Sequence, residues 1–316
     1  SLGLLELRRA ITGHMKKKYG VAIAPDQVIV TPGTSNALWL SLAVILNPGD
    51  EVIMADPHYP CYPNFVSFLG GKPVYIPICE SENFQLSPER VASAITDRTK
   101  AILINSPANP TGAVLERGVM EKIAKLGPLV ISDEIYHGLV YEGEAASMLE
   151  FTDNAIVIDG FSKRAAMTGW RLGYAIVPDA YVRPVQKLQQ NFNISTNSFV
   201  QWAGISAIRE CDTHLKEMRK TFDKRRKFLV DGLRKIGLKV THPPKGAFYV
   251  FVNAAHVEPD SLKLANEILE TAKVAVTPGV EFGEGGEGFI RLSYASSMEN
   301  LQEGLNRLEK FIKTKG

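Results

Sequence analysis

The sequence predicts an α/β protein in which a mostly parallel sheet is sandwiched by helices, followed by a smaller α+β domain. Up to about Asp212, short β-rich apolar runs alternate with segments of helical periodicity, which is typical of a parallel sheet covered on both faces. From Asp212 onward the pattern changes to one long charged helix, followed by further strands and a helix. The length of 316 residues also fits one large and one small domain. We therefore expect a large domain over residues 1–215 and a small domain over residues 216–316.

The elements of both domains follow from the positions of the apolar runs. Each run in the large domain is short, continuous and bounded by turn residues, which favours a buried strand. The long segment 212–236 is expected to connect the domains. The expected strands are 28–30, 52–54, 74–76, 101–104, 129–131, 156–158 and 174–177 in the large domain and 247–252 and 289–294 in the small one; the expected helices include 36–46, 88–95, 118–125 and 261–271.

Composition limits the possible partners and location. The formal net charge of +2 is too slight to indicate nucleic-acid or membrane-surface partners. Acidic residues also interrupt the Lys/Arg run within residues 212–236, which therefore predicts a solvated helix face. Three widely spaced cysteines argue against a disulfide framework and fit a reducing compartment, so we expect a cytoplasmic protein. The sequence opens inside an amphipathic helix pattern, SLGLLELRRAI, and we expect further residues upstream of it.

Loops that follow the predicted strands carry the candidate functional residues, because α/β proteins place their chemistry at the carboxyl ends of strands. The first loop is TPGTSNALWL, residues 31–40, where Pro-Gly turns the chain and Thr34 or Ser35 caps a helix. Hydroxyls and backbone N–H groups at a helix N-terminus bind phosphate well. The same pattern is compatible with plain helix capping, so both interpretations stay open at this point.

The next two loops follow the runs AILI and LVIS. In NSPANPTG, residues 105–112, Asn109 is expected to project its amide at the sheet edge, and an Asn-Pro turn is the simpler alternative. In LVISDEIYHG, Asp133 follows a buried run, where a carboxylate requires a cationic or hydrogen-bond-donating partner. Tyr136 lies three residues further on and can reach the same place.

Two further segments carry basic residues in unusual places. In GFSKRAAMTGWRLGY, residues 160–174, Lys163 closely follows a predicted strand and Arg171 lies eight residues later. A lysine there is costly unless its amine is paired, neutral or covalently used. In GFIRLSYA, residues 288–295, Arg291 interrupts a strand-like run, and its planar fork favours a carboxylate partner. That carboxylate belongs either to a substrate or to a structural acid.

Two other patterns are discounted. GEGGEG, residues 283–288, mimics a dinucleotide-binding loop but precedes a strand in the small domain, so we interpret it as a loop. The six histidines show no metal-ligand spacing, and we expect no metal site from them.

The combined motifs resemble those of the class I/II aminotransferases. The phosphate-type cap, PHYPCY, NPTG, DEIY, SK with its downstream arginine, and the late arginine occur here in that order. This is the fold type I family that depends on pyridoxal 5′-phosphate (PLP), and the resemblance runs nearly from end to end. The branch of aspartate, aromatic and alanine aminotransferases is the most similar. The resemblance implies a homodimer that moves an amino group from an L-amino acid to a 2-oxo acid by a ping-pong mechanism, with 2-oxoglutarate as the expected acceptor.

The resemblance also implies a role for each candidate residue. Lys163 is similar to the lysine that forms the Schiff base with PLP and then moves the substrate's proton. Asp133 resembles the carboxylate that pairs with the pyridine nitrogen. Arg291, with Asn109 nearby, resembles the clamp on the substrate's α-carboxylate. The further expected cofactor contacts are Tyr59 stacked on the ring, Asn109 and Tyr136 on its phenolic oxygen, and Gly33, Thr34, Ser35, Ser162 and Arg171 around the phosphate.

Other functions share parts of this pattern. A PLP-dependent C–S lyase or a cyclopropane-forming synthase would use the same cofactor residues. A non-catalytic PLP-binding regulatory module would accompany a DNA-binding domain, and a plain α/β binding protein would carry Lys163 as a solvated side chain. Members of the family also have a longer N-terminal segment with a tyrosine that reaches the partner subunit's phosphate, and this sequence starts after the position expected for it.

Overall fold

A seven-stranded sheet forms the centre of the computed structural model, which describes residues 1–315. Its strands are β1 Val28–Thr31, β2 Glu51–Asp56, β3 Lys72–Pro77, β4 Thr99–Asn105, β5 Leu129–Asp133, β6 Ala155–Gly160 and β7 Gly173–Ile176. They lie in the order β1-β7-β6-β5-β4-β2-β3. Five neighbouring strands are mutually parallel, namely β3, β2, β4, β5 and β6. In contrast, β7 runs antiparallel to both β6 and β1. The predicted mostly parallel sheet is confirmed.

The antiparallel placement of β7 follows from the short connection that precedes it. Residues 161–172 form turns and one short 3-10 helix, Thr168–Trp170. A parallel return usually requires a crossover helix, whereas antiparallel neighbours accept a shorter connection. This connection is the segment that carries Lys163 and Arg171.

The central strands are buried on both faces, which explains their continuous apolar sequences. All five residues of β5 and all six residues of β6 are buried. Val130 and Val157 pack into one core cluster, while Ile131 and Ile158 pack into a second cluster. Consecutive side chains of these strands therefore point to opposite faces of the sheet.

Helices cover the sheet on both sides, with α1 packed against α7 and α2 packed against α6. Their bounds are α1 Leu5–Tyr19, α2 Thr34–Ile45, α3 Cys61–Phe68, α4 Pro88–Ser93, α5 Arg117–Ala124, α6 Asp179–Phe192, α7 Ser198–Arg209, α8 Asp212–Lys235, α9 Ser261–Glu267 and α10 Met298–Lys313. The predicted helices overlap α2, α4, α5, α8 and α9, and α9 continues into a π-helical turn over Ile268–Ala272. Across residues 1–315, every helix is too short or too polar to traverse a lipid bilayer.

A second, antiparallel sheet lies in the C-terminal part of the chain. Its strands are β8 Tyr249–Asn253, β9 Thr277–Pro278 and β10 Phe289–Ser293, in the order β8-β10-β9. The sequence missed β9, because two residues show no recognisable periodicity. Leu229 of α8, Leu264 of α9 and Leu308 of α10 share the core of this region. The expected domain boundary between residues 215 and 216 falls near the start of α8, and that division stays a prediction.

Candidate active site

The carboxyl ends of β4, β5 and β6 meet at one edge of the large sheet and border a cavity of about 300 Å³. β4 ends at Asn105 and β5 ends at Asp133, while Lys163 lies just beyond the end of β6. The small sheet contributes Tyr249 and Arg291 to the same cavity. The full lining consists of Thr34, Ser35, Leu38, Tyr59, Tyr62, Asn105, Asn109, Asp133, Ile135, Tyr136, Ser162, Lys163, Thr168, Arg171, Tyr249 and Arg291.

This lining contains every site residue expected from the sequence except Gly33. Gly33 lies directly behind the lining, because a Cβ atom built on it would come within 2.5 Å of a guanidinium nitrogen of Arg171. Its φ of 92° lies in the region that favours glycine. The structure thus brings the expected residues together, and the individual roles implied by the resemblance stay predictions.

Asp133 is a buried carboxylate held by two hydrogen-bond donors. The Tyr62 hydroxyl donates to Oδ2 at 2.8 Å, and the backbone N–H of Ile135 donates to Oδ1 at 3.2 Å. Burial raises the pKa of Asp133 to about 6, and the hydrogen bond from Tyr62 opposes that rise. In residues 1–315 the carboxylate forms no ion pair. A cationic group of a ligand could therefore pair with a carboxylate that no side chain holds in an ion pair.

Lys163 presents a partly buried amine to the same cavity. Burial lowers its pKa, the positive charge of Arg171 lowers it further, and Asp133 opposes the change. The Nζ atom lies 5.5 Å from the ring centroid of Phe248. A lysine whose pKa is lowered in this way is a better nucleophile and base near neutral pH than an exposed lysine.

Hydroxyl groups and Arg171 surround another part of the cavity. Thr34 and Ser35 lie in the first turn of α2, and Ser162 and Thr168 add two further hydroxyls to the lining. Arg171 has a left-handed φ of 53°, and its NH1 group donates to the backbone carbonyl of Thr168 at 3.1 Å. A helix N-terminus next to a guanidinium group is a favourable site for an anion such as phosphate.

Arg291 lies on β10 and contacts two aromatic rings. Its Cζ atom is 4.2 Å from the ring centroid of Tyr249 and 4.7 Å from that of Phe282. The guanidinium donates to Asn109 Oδ1 at 2.7 Å and to Thr277 Oγ1 at 3.2 Å. Burial lowers the pKa of Arg291. The sequence anticipated a carboxylate partner, yet Arg291 makes no ion pair within the part of the chain that the structure describes. The carboxylate is therefore left for a ligand to supply.

Asn105 connects the end of β5 to the loop that contacts Arg291. Its Nδ2 group donates to the backbone carbonyl of Asp133 at 2.9 Å, and its Oδ1 atom accepts from the backbone N–H of Asn109 at 2.8 Å. The side chain of Asn109 is oriented in turn, because its Oδ1 accepts from Arg291. The Nδ2 group of Asn109 therefore points away from Arg291 and is free to donate to another acceptor.

Tyrosine hydroxyls complete the polar lining. Tyr136 is buried, and its hydroxyl lies 3.2 Å from that of Tyr249. The rings of Tyr59 and Tyr62 meet edge to face, with centroids 5.4 Å apart. Burial raises the pKa of both Tyr59 and Tyr136 above the ordinary value for tyrosine. Both remain neutral phenols near neutral pH and can donate hydrogen bonds.

Sequence reasoning missed Tyr62, Asn105, Tyr249 and Thr277, each of which contacts an expected site residue. Two signals were available. Tyr62 follows Tyr59 by three positions in PHYPCY, a spacing that places both on one side of a helical turn, and Asn105 opens the motif NSPANPTG. Tyr249 and Thr277 lie in strands, where an apolar pattern does not distinguish a side chain facing a cavity from one facing a core.

The lining is positively charged overall. Lys163, Arg171 and Arg291 contribute three basic groups, whereas Asp133 is its one acidic residue. A partly enclosed cavity with this excess attracts ligands that carry more than one negative charge. A phosphate and a carboxylate are the groups that the arginines are suited to bind.

The similarity to known proteins covers nearly the whole chain, including the residues that line the cavity. A family model described as aminotransferase class I and II matches residues 1–308. The (5-formylfuran-3-yl)methyl phosphate transaminase of Methanocaldococcus jannaschii is 44% identical, over 99% of this chain and 82% of its own length. The aspartate/prephenate aminotransferase of Thermus thermophilus is 39% identical, over 98% of this chain and 82% of its own length. The solved structure of an aromatic aminotransferase from Pyrococcus horikoshii has a TM-score of 0.96 at 37% identity, covering 99% of this chain and 87% of that structure.

Proposed function

This chain belongs to the aminotransferase class I and II family and is an aminotransferase, and we propose that it uses PLP carried by Lys163. The observation that carries the proposal is the convergence of Lys163, Asp133, Arg171 and Arg291 on one cavity. The amino group would pass from an L-amino acid to a 2-oxo acid. We propose 2-oxoglutarate as the acceptor on the family resemblance alone.

The chemistry of the cavity fits this cofactor. PLP presents a phosphate, a ring nitrogen that can bind a proton, a phenolic oxygen and an aldehyde. The first turn of α2 and Arg171 offer donors to a phosphate, and Asp133 offers a carboxylate to a protonated nitrogen. Tyr136 and the free amide donor of Asn109 suit a phenolic oxygen, and the amine of Lys163 suits an aldehyde. Tyr59, which lines the cavity, is proposed to stack on the cofactor ring.

The proposed roles of Asp133 and Lys163 follow from the chemistry of their side chains and from their positions in the cavity lining. PLP, when bound, supplies an electron-accepting ring that stabilises negative charge on the substrate's α-carbon. Asp133 would keep the ring nitrogen protonated, because an ionised carboxylate beside it favours the charged form. Lys163 Nζ would accept the proton from the substrate's α-carbon as a general base and return it as a general acid. Its lowered pKa increases the fraction of unprotonated amine near neutral pH.

Arg291 is proposed to bind the substrate's α-carboxylate. The two aromatic rings near it and the hydrogen bonds to Asn109 and Thr277 restrain the orientation of the guanidinium. Since no carboxylate among residues 1–315 pairs with it, a substrate carboxylate would meet a preorganised and partly desolvated cation. Such a site binds a carboxylate more tightly than an exposed arginine does.

A half-reaction panel tests the proposed activity. The PLP-loaded protein is mixed with each common L-amino acid, and its visible absorption is followed. Conversion to the spectrum of pyridoxamine phosphate, with release of the matching 2-oxo acid, is expected for at least one donor. Release of pyruvate, ammonia and a thiol from a sulfur amino acid, without that conversion, would indicate a C–S lyase instead.

The proposed attachment of the cofactor is tested separately. Reduction of the loaded protein with borohydride, followed by peptide mapping, should locate the cofactor mass on Lys163. Label on a different lysine would contradict the assignment.

We also propose that the site lies near the interface of a homodimer. Two large apolar side chains, Trp170 and Phe199, are 47% and 65% exposed. Trp170 and Phe199 line a second cavity together with Arg171, so this apolar surface borders the proposed phosphate site. Clustered exposed apolar side chains mark interaction surfaces, and the family resemblance favours a second copy of this chain as the partner. Sedimentation that revealed a fully active monomer at low concentration would contradict this proposal.

A further inference from the structure

Tyr249 connects two parts of the candidate site that are far apart in sequence. Its ring packs on the guanidinium of Arg291, with a centroid distance of 4.2 Å, and its hydroxyl lies 3.2 Å from the hydroxyl of Tyr136. β8 and β10 are paired so that Arg291 lies opposite Phe251, two positions along the strand from Tyr249. Side chains two positions apart share a face of a sheet, which places Tyr249 and Arg291 on the same side.

We propose that Tyr249 is a positioning residue with two separable functions: its hydroxyl donates to Tyr136 and directs the Tyr136 proton into the cavity, and its ring supports Arg291. This inference rests on the proposed function, because it assigns Tyr136 a hydrogen bond to the phenolic oxygen of the cofactor. Tyr249 would then influence both the proton affinity of the bound cofactor and the binding of the substrate's carboxylate.

The direction of the hydrogen bond follows from the role proposed for Tyr136. Either of the two hydroxyls could donate to the other. Within residues 1–315, each hydroxyl has the other as its one hydrogen-bond partner, and both residues line the cavity. Because Tyr136 is proposed to donate its own proton to the phenolic oxygen of the cofactor, it can only accept in this bond, and donation by Tyr249 then satisfies both hydroxyls.

A hydroxyl that accepts one hydrogen bond becomes a stronger donor of the next, because hydrogen bonds in series polarise one another. Tyr136 would therefore donate more strongly to the cofactor when Tyr249 donates to Tyr136. The ring of Tyr249 acts separately, since it attracts the Arg291 cation through its π face and does not need the hydroxyl for that.

Two substitutions separate these functions. Tyr249→Phe removes the hydroxyl and keeps the ring beside Arg291, whereas Tyr249→Leu removes both. Tyr294→Phe is the matched control, because Tyr294 is also buried near the small sheet but donates to the backbone carbonyl of Ala247 at 3.1 Å. Two quantities are measured on each PLP-loaded protein: the pH midpoint of its visible absorption change, and the dissociation constant of the amino acid that reacts best in the half-reaction panel.

In Tyr249→Phe, the midpoint should rise by roughly half a pH unit, since weaker donation to the phenolic oxygen lets the bound cofactor hold its proton to higher pH. The amino acid should bind almost as in the wild type. Tyr249→Leu should show the same midpoint shift together with a dissociation constant that is roughly 5-fold or more higher. Tyr136→Phe should move the midpoint in the same direction as Tyr249→Phe, and further. Tyr294→Phe should change neither quantity.

The sign of the midpoint shift in Tyr249→Phe tests the proposed direction of the hydrogen bond. An unchanged midpoint in Tyr249→Phe would show that the hydroxyl has no influence on the cofactor, and a lower midpoint would show that Tyr136 had been donating to Tyr249. Either result overturns the proposal. An equal shift in Tyr294→Phe would also overturn it, because a general loosening of the small-sheet core would then explain the effect. Failure of the wild-type protein to develop a visible absorption band with PLP would instead refute the proposed function.

Discussion

Asp133 and Glu134 are consecutive buried carboxylates with different surroundings. Asp133 lines the cavity, receives one hydrogen bond on each oxygen and has a pKa raised by burial to about 6. Burial raises the pKa of Glu134 to about 8, although Ser132, Ser147 and the N–H of Met148 all donate to its Oε1 atom. Both groups are perturbed in the same direction, and Glu134 is perturbed more.

The consecutive basic residues Lys163 and Arg164 also have different surroundings. Lys163 lines the cavity, whereas the NH1 group of Arg164 lies 2.9 Å from Nε2 of His14 on α1. Glu134 and Arg164 thus belong to a rear cluster of ionisable residues outside the cavity lining. Within this rear cluster, His137 Nδ1 lies 3.3 Å from Glu134 Oε2 and 2.7 Å from the hydroxyl of Tyr19.

The comparison teaches that a large pKa shift does not by itself identify a functional group. The Oε1 atom of Glu134 is satisfied by three donors from the chain itself, so its surroundings are complete without a ligand. Asp133 borders a cavity, has no ion pair among residues 1–315 and can still bind a cation. What distinguishes the functional carboxylate is its access to a cavity, and not the size of the shift.

The largest expected effect is the loss of half-reaction rate when Lys163, and not Arg164, is replaced. Lys163→Ala should lower the rate of the half reaction by roughly 10⁴-fold, since it removes the proposed general base and cofactor anchor. Arg164→Ala, its matched control, should keep a rate close to that of the wild type and should lower the midpoint of urea denaturation. Single-turnover kinetics at saturating PLP would measure both. Equal rate losses in the two variants would contradict the separation of the site from the rear cluster.

The next largest effect on the half-reaction rate is expected for Asp133, with Glu134 as its matched control. Asp133→Ala should still bind PLP but should lose about 3–5 kcal/mol of transition-state stabilisation, because it removes a charged partner from a desolvated site. Glu134→Gln should retain a near wild-type rate. The same single-turnover measurement checks both variants, and a near wild-type rate in Asp133→Ala would refute its proposed role.

The third prediction concerns Arg291, which lies on β10 of the small sheet. Arg291→Lys keeps the charge but loses the bidentate fork. We expect normal PLP binding with an unchanged absorption spectrum, and a decrease in kcat/KM for every α-amino acid of roughly 10²-fold, or about 3 kcal/mol. Amines that lack an α-carboxylate serve as the control and should react almost as with the wild type. If they lose as much as the amino acids do, Arg291 is a structural residue.

The smallest expected effect is on stability and concerns Glu134. Because its pKa is higher in the folded protein, at about 8, than in an unfolded chain, folding favours its protonated form. Its contribution to stability is therefore complete below the unfolded pKa, near pH 4.3, and decreases as the pH rises toward 8. Glu134→Gln has no such proton to lose. Its free energy of unfolding should gain roughly 2 kcal/mol relative to the wild type between pH 6 and pH 8.

Urea denaturation of both proteins at several pH values would measure this difference, and titrating groups remote from Glu134 cancel in the comparison. A pH dependence that is identical in the two proteins would show that Glu134 remains ionised when the protein is folded.

Much of the large sheet was predictable because its signals are local. The buried strands read as continuous apolar runs, so every predicted strand overlaps an observed one. The antiparallel direction of β7 was not predicted, since direction depends on the connection and the partner strand and not on the strand's own residues. The short strand β9 was not predicted for a similar reason, because only its pairing with β10 makes it a strand.

The sequence by itself determined which ionisable residues follow buried strands, because apolar runs and turns are properties of neighbouring residues. It could not determine their partners. Tyr62 contacts Asp133 across 71 positions, Tyr136 contacts Tyr249 across 113, and Asn109 contacts Arg291 across 182. Hydrogen bonds and ion pairs depend on direction and on a few tenths of an ångström, and the packing of the whole chain sets both. For that reason only the tertiary structure separated Asp133 from Glu134 and revealed Tyr249 between Tyr136 and Arg291.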